Sequence, residues 1–240
     1  MTKKLINQND IYNKELLNLI DSDHVFSNNP IDRFKKKIKT FDKIKNQNKI
    51  QKLEKLKELI NSIEDCKLKE NSNKIILGSG NIDSPILLVG EAPGNMEDKY
   101  KKTFESEHDV LLKKMLKAIN IEKENIYTTY VVNFLPPNER KPTTNEINRY
   151  SVFLKEHISI ISPKLLILMG STAMEALTGI NNNISVERGK WKEIIIKDRS
   201  YDVMITFNPS YLLRKPENKK LSWEDLKKIK QKILELKINI

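Results

Sequence analysis

The sequence predicts an α/β protein: a three-layer α/β/α sandwich with a mostly parallel central sheet, preceded by an N-terminal helical extension. Two observations support this fold class. Short β-branched or apolar runs begin near residue 74 and alternate with helical stretches. These runs are apolar along their whole length, so both faces of each strand should be covered. With 240 residues, the chain can bury one sizeable core and carry one appendage.

The polar first 68 residues predict the helical extension. Apolar residues recur there at spacings of three and four from residue 38 to residue 63, which is the period of a helix. The stretch contains no Gly, and its one proline, Pro30, stands where a helix can begin. We therefore place a basic helical extension at residues 1–68 and the main domain at residues 69–240.

Six strand-like runs define the main domain. In chain order they are KIIL, PILLVG, NIYTTYVV, KLLILMG, KEIIIK and DVMITF. The helical stretches beside them are VLLKKMLKAI, TTNEINRYSVFLKEHISII, STAMEALTG and SWEDLKKIKQKILELKI. Because parallel α/β sheets bind ligands at the carboxyl ends of their strands, the loops after these runs are candidates for the site.

Composition narrows the choice of partner and compartment. The formal charge is +11 and comes almost entirely from Lys, which favours a polyanion such as DNA, although a Lys-rich, AT-biased genome would give the same surplus. The single cysteine, Cys66, excludes an internal disulfide. No apolar leader opens the sequence, and no run reaches the roughly 20 apolar residues that cross a bilayer. We expect a cytoplasmic monomer that does not enter a membrane.

Three loops after strands carry unusual residues. The first is GEAPGNMED, in which Gly90 and Gly94 allow close backbone approach and Pro93 fixes the turn. The second is PPNERKPT, a stiff exposed loop that ends in Thr143 or Thr144 as a helix cap. The third is NPSYLLRKP, which puts an apolar triplet on a surface loop. Each loop taken singly is also compatible with an ordinary turn or connector.

Taken in order, these loops make the chain resemble the uracil-DNA glycosylase superfamily, in particular the family 4 enzymes and their alphaproteobacterial-type relatives. The other matching segments are Phe104 ahead of LLKKMLKAI, PKLLILMGSTA, RGKW at 188–191 and Trp223 after the third loop. The resemblance covers about residues 66–230. It implies a DNA repair enzyme that flips uracil out of the helix and releases it as free base.

The resemblance also implies roles for individual residues. The first loop would bind uracil through Gly90, Ala92 and Pro93, and Glu91 would position the attacking water. Phe104 would stack on the flipped base, although a Phe can equally be plain core. Asn208 would donate to uracil O2, where negative charge develops as the base leaves.

DNA contacts are implied for the second and third loops. Leu212 and Leu213 suit an apolar wedge that fills the gap left by the flipped nucleotide, or else an anchor packed inward. Arg214 suits a neighbouring phosphate. The remaining implied DNA contacts are Arg140, Lys141, Ser210 and Tyr211.

The chain departs from the family 4 pattern in its base-contacting residues. Asn208 stands where these enzymes typically have His, although the mismatch-specific branch carries Asn-Pro-Ser there, and an amide can also donate. Tyr130, an implied uracil-binding position, stands where the family has an Asn that reads the uracil edge. Asn133 could substitute if the strand register shifted. In ESEHD at 105–109, the glycines usual after the stacking Phe are missing, and His108 is either a catalytic assistant or a solvated loop residue.

Typical family 4 members bind a four-iron four-sulfur cluster through four cysteines. Cys66 matches one of these positions, whereas Phe134, Tyr150 and Ser151 hold no thiol. One thiolate cannot ligate a cluster, so we expect no cofactor and no metal.

Two rival functions remain at this point. A degenerate glycosylase would bind uracil or abasic DNA without turnover, as Tyr130 and Asn208 suggest. A different enzyme on a nucleotide-binding fold is disfavoured, because no Gly-rich phosphate loop is present.

Overall fold

The computed structural model describes residues 33–64, 66–72 and 74–239. The first 32 residues of the predicted extension lie outside this range. The chain divides into two compact units, Met1–Asp42 and Lys43–Ile240. The sheet, the cleft and the side-chain contacts described below belong to the second unit.

A six-stranded sheet forms the centre of this unit. Its strands are β1 (Gly78–Gly80), β2 (Ile86–Gly90), β3 (Tyr127–Tyr130), β4 (Leu165–Met169), β5 (Trp191–Ile196) and β6 (Arg199–Thr206). They lie in the order β1-β3-β2-β4-β6-β5. The four central strands are parallel, and the edge strands β1 and β5 are antiparallel to their neighbours. The carboxyl ends of β2, β3 and β6 therefore all lie on the same side of the sheet, where the strands end.

Helices connect and cover the strands. They are α1 (Arg33–Asn61), α2 (Lys67–Asn71), α3 (Asn95–Tyr100), α4 (Glu107–Lys117), α5 (Thr144–Ile161), α6 (Ser171–Thr178), α7 (Ile184–Glu187), α8 (Pro209–Arg214) and α9 (Lys219–Glu235). The predicted α/β sandwich with a mostly parallel sheet is confirmed. No helix in the described part of the chain is both long enough and apolar enough to cross a membrane.

Alternate residues of the central strands enter two different cores. Leu87 and Val89 of β2 belong to one cluster of buried side chains, whereas Ile86 and Leu88 belong to the other. All four are at most 1% exposed. This two-sided burial explains why the strand sequences are apolar throughout.

The first predicted strand, KIIL, is wrong in position. The structure begins β1 four residues later, at Gly78–Gly80, and leaves Ile75 and Ile76 buried in irregular backbone. The amide of Asn133 donates to the carbonyl of Ile76 at 3.0 Å, and the Ile76 N–H donates to the Asn133 carbonyl at 2.8 Å. Asn133 is 4% exposed and holds this segment, so it does not replace position 130 in reading a base.

Candidate active site

One cleft of about 410 Å³ opens at the carboxyl ends of strands β2, β3 and β6. Its walls come from the three loops singled out in the sequence and from the start of α4. The lining includes Glu91, Ala92, Pro93, Phe104, His108, Asp109, Tyr130, Arg140, Lys141, Asn208, Ser210 and Arg214. The fold therefore brings together residues that lie more than 120 positions apart in the chain.

Two aromatic rings form the inner wall of the cleft. The centroids of Phe104 and Tyr130 lie 4.9 Å apart, and the Tyr130 hydroxyl accepts the backbone N–H of Phe104 at 2.8 Å. Phe104 has a left-handed backbone (φ 55°), which an aromatic residue adopts only when its surroundings hold it there. Tyr130 thus positions Phe104, and its engaged hydroxyl does not present the paired donor and acceptor that read a uracil edge.

Gly90 makes room for these rings. A Cβ at this position would lie 2.7 Å from Phe104 Cζ and 2.8 Å from Tyr130 Cδ1. Gly90 is therefore needed for the packing of these rings, and its predicted contact with uracil stays a prediction. Any side chain here would displace Phe104 or Tyr130.

Glu91 follows β2 directly and lines the cleft as a half-buried carboxylate. Its Oε2 accepts a hydrogen bond from the hydroxyl of Thr172, a buried residue near the start of α6. This contact fixes one carboxylate oxygen. Thr172 was not among the predicted site residues, although it lies in the GSTA motif.

Asn208 is the N-cap of the short helix α8. Its Oδ1 accepts the backbone N–H of Ser210 at 2.9 Å, which fixes the orientation of the side-chain amide. Its Nδ2 has no hydrogen-bond partner among the described residues, and the side chain lines the cleft. One amide therefore caps a helix and keeps a donor available to a ligand.

The three side chains Tyr211, Leu212 and Leu213 of the third loop have different surroundings. Tyr211 stacks on Phe207 with ring centroids 4.9 Å apart. Leu212 is fully buried, so its predicted role as a wedge in DNA is wrong: it is the anchor packed inward. Leu213 is 41% exposed and remains available to a duplex.

The second loop presents one engaged and one exposed cation. Arg140 forms a two-pronged contact with Glu146 at 2.8 and 2.7 Å, which raises the pKa of Arg140 and lowers the pKa of Glu146. Glu146 also completes the cap of α5 with Thr143, the cap that the sequence left open between two threonines. Lys141 is exposed on the rim of the cleft.

Buried carboxylates stand behind the aromatic wall. Glu97 accepts the backbone N–H groups of Gly94, Glu105 and Ser106, each at 3.0 Å, and so ties the first loop to the start of α4. Asp109 is 3% exposed and lines the same cleft. Burial, followed by the nearby Glu97 carboxylate, raises the pKa of Asp109 to about 7. The sequence of the ESEHD segment leaves His108 open between a catalytic assistant and a solvated loop residue, and it gives no signal for Asp109. In the structure His108 is exposed.

The residues around Cys66 do not fit an iron–sulfur cluster. Cys66 is buried, and its Sγ lies 3.3 Å from the hydroxyl of Tyr150. Tyr150 is fully buried and packs edge-on against Phe134, with ring centroids 6.4 Å apart. Aromatic rings stand at the positions where a cluster would need thiolates.

Comparison with known proteins agrees with this geometry. The family model of the Uracil DNA glycosylase superfamily matches residues 77–227. A type-4 uracil-DNA glycosylase from Sulfurisphaera tokodaii is 35% identical over 187 residues, which is 75% of this chain and 84% of that protein. The type-4 enzyme from Thermotoga maritima is also 35% identical, over 69% of this chain and 86% of its own length. One from Archaeoglobus fulgidus is 29% identical over 71% of this chain and 87% of that protein.

Proposed function

The chain belongs to the uracil DNA glycosylase superfamily, and we propose that it excises uracil from DNA by hydrolysing the bond between the base and the deoxyribose. The observation that carries this proposal is the convergence of the three loops on one cleft, which offers a hydrogen-bond donor, a carboxylate and an aromatic wall to a flipped base. A target base must leave the stack to enter such a cleft. The hydrolytic glycosylases of DNA repair act in this way.

The chemistry follows from two polar groups in the cleft. As the glycosidic bond breaks, the sugar becomes oxocarbenium-like and the base leaves with negative charge. The free Nδ2 of Asn208 donates to uracil O2 and stabilises that charge. Glu91, held by Thr172, positions the water that attacks the sugar. Phe104 supplies the apolar wall against which the base rests.

The rim of the cleft suits a DNA backbone. Lys141 and Arg214 are both exposed and line the cleft, so they can neutralise phosphates beside the flipped nucleotide. Ser210 also lines the cleft. Arg140 is held by Glu146 and chiefly shapes the loop.

The direct test is a uracil-containing oligonucleotide duplex treated with the protein and then with alkali, which cleaves the strand at an abasic site. We expect cleavage at the uracil position and none on a duplex with thymine there. Tight binding of the uracil duplex without any cleavage would overturn the proposed activity and leave a binding protein.

We propose that Leu213 is the residue that fills the gap in the duplex. Leu213→Ala should slow excision from double-stranded DNA about tenfold more than from single-stranded DNA, because only a duplex has a stack to refill. Leu234→Ala, at a 70% exposed leucine on α9, is the matched control and should change neither rate. Equal losses on both substrates for Leu213→Ala would instead indicate a packing role.

We also propose that the protein works without an iron–sulfur cluster. The chain has one cysteine, and the aromatic packing around it supports this proposal. Protein purified without oxygen should be colourless and should contain no stoichiometric iron or acid-labile sulfide. Absorbance in the visible range together with stoichiometric iron would contradict it.

We further propose that the protein acts as a cytoplasmic monomer. A lone buried cysteine is compatible with a reducing compartment.

A further inference from the structure

Asp109 presents one carboxyl oxygen to the cleft and uses the other to hold a helix. Its Oδ2 accepts the backbone N–H of Ser106 in the capping box of α4. Its Oδ1 has no hydrogen-bond partner in the part of the chain that the structure describes, although Asp109 is buried, with only 3% of its surface exposed. The cap therefore decides which oxygen is free to carry a proton toward a ligand.

The charges around Asp109 favour its protonated form. Burial has the largest effect on its pKa, and the carboxylates of Glu97 and, more weakly, Glu105 add to it; Lys123 and the Ser106 N–H act in the opposite direction. Tyr130 faces the same carboxylates and is itself kept neutral by burial. His108, on the same helix, is exposed. With a pKa of about 7, a large share of Asp109 molecules are protonated at neutral pH.

We propose that the protonated carboxyl of Asp109 is a specificity-determining group that donates a hydrogen bond to uracil O4. The proposal rests on the function proposed above. Uracil carries a carbonyl at this position and cytosine an amino group, so an O–H donor matches uracil and opposes cytosine. When ionised, the same group would repel O4 and the negative charge that develops on the leaving base.

Two other polar groups of the cleft already have assigned contacts. Asn208 donates to O2 in the function proposed above, and the oxygen of the Tyr130 hydroxyl accepts the N–H of Phe104. Asp109 is the third residue of α4, whose N-cap is Ser106, and Asn208 is the N-cap of α8. These two helices pack against each other, which brings Asp109 and Asn208 to one cleft. Each uses one atom for the helix cap and presents the other to the base.

The test is the pH profile of single-turnover uracil excision. Between pH 6 and pH 8.5 the wild-type rate should fall about 30-fold, since the protonated fraction falls by that factor around a pKa of about 7. Asp109→Asn keeps an oxygen for the Ser106 N–H and offers an N–H that does not titrate. Its rate should equal the wild-type rate at pH 6 to within about threefold and stay level to pH 8.5. Asp109→Leu, which lacks a donor, should be slow at both values.

His108→Gln is the matched control, because His108 is the ionisable side chain directly before Asp109 and lines the same cleft. This variant should keep the wild-type fall with pH. A thermal melt at each pH confirms that every variant is folded. The inference is overturned if wild type and Asp109→Asn share one pH profile, or if Asp109→Asn is inactive at pH 6 while wild type is active. If the proposed function itself is wrong, the result is different: neither the wild type nor any variant excises uracil at any pH.

Discussion

Replacing Asn208 with Asp is expected to slow single-turnover uracil excision by about 10²- to 10³-fold, which is the usual effect of removing one donor aimed at developing charge. Thermal stability should stay close to that of the wild type. The substitution keeps the oxygen that accepts the Ser210 N–H, and Asp is as good an N-cap as Asn. It removes only the Nδ2 donor and places a negative charge beside the leaving base.

The comparison with Asn208→Ala separates the cap from the donor. Alanine loses both, so its excision rate should fall by a similar factor while its free energy of unfolding falls by about 0.5–2 kcal/mol. Excision is measured on one uracil duplex at saturating enzyme, and stability by denaturant unfolding. A wild-type excision rate in Asn208→Asp would show that Asn208 only caps α8 and that another group stabilises the departing base.

The sequence allowed the fold and the position of the site to be predicted because both depend on local signals. Apolar runs such as residues 86–90 indicate strands covered on both faces, and the topology of parallel strands then places their following loops at one edge. The Asn-Pro pair at 208–209 is also a local signal, for a helix that begins there. The apolar and basic residues that follow are instead typical of a surface loop, whereas the structure forms helix α8, which decides which leucine is exposed.

Roles that depend on tertiary packing could not be predicted. Leu212 and Leu213 are identical side chains next to each other, and only the orientation of α8 buries the first and exposes the second. In the sequence, Asp109 is one of three acidic residues in a segment that also holds a histidine, and nothing distinguishes it from the others. Only the fold buries it beside Glu97 and so raises its pKa. Gly90 has an ordinary backbone conformation, and its importance lies in two rings that arrive from elsewhere in the chain.

Asp225→Ala should lower the free energy of unfolding by about 3–5 kcal/mol, the loss expected when one partner of a buried ion pair is removed. Asp225 is fully buried on α9 and is contacted by the Arg188 guanidinium, with Nε to Oδ2 at 2.8 Å. The Thr206 hydroxyl donates to the same oxygen at 2.8 Å. The Arg188 side chain is only 11% exposed, so the substitution would leave a largely buried positive charge without its anionic partner.

We also expect Asp225→Ala to alter the position of residues beside the cleft. The Arg188 guanidinium lies 5.6 Å from the centre of the Phe207 ring, and Phe207 stacks on Tyr211. Phe207 directly precedes Asn208, so a displaced Arg188 disturbs the residue next to the O2 donor. We therefore expect Asp225→Ala to reduce excision even at temperatures where it is folded.

A double variant tests whether the pair itself or the unpaired charge matters. Burial raises the pKa of Asp225 in spite of Arg188, which means that desolvation offsets much of the attraction between the two groups. Replacing both residues with apolar ones, as in Arg188→Met with Asp225→Leu, should therefore recover most of the stability that Asp225→Ala loses. Excision should recover less, since Met has no guanidinium to place over Phe207. If the double variant is as unstable as Asp225→Ala, the stability comes from the hydrogen bonds of Arg188 and Thr206 to the carboxylate and not from the avoidance of a lone buried charge.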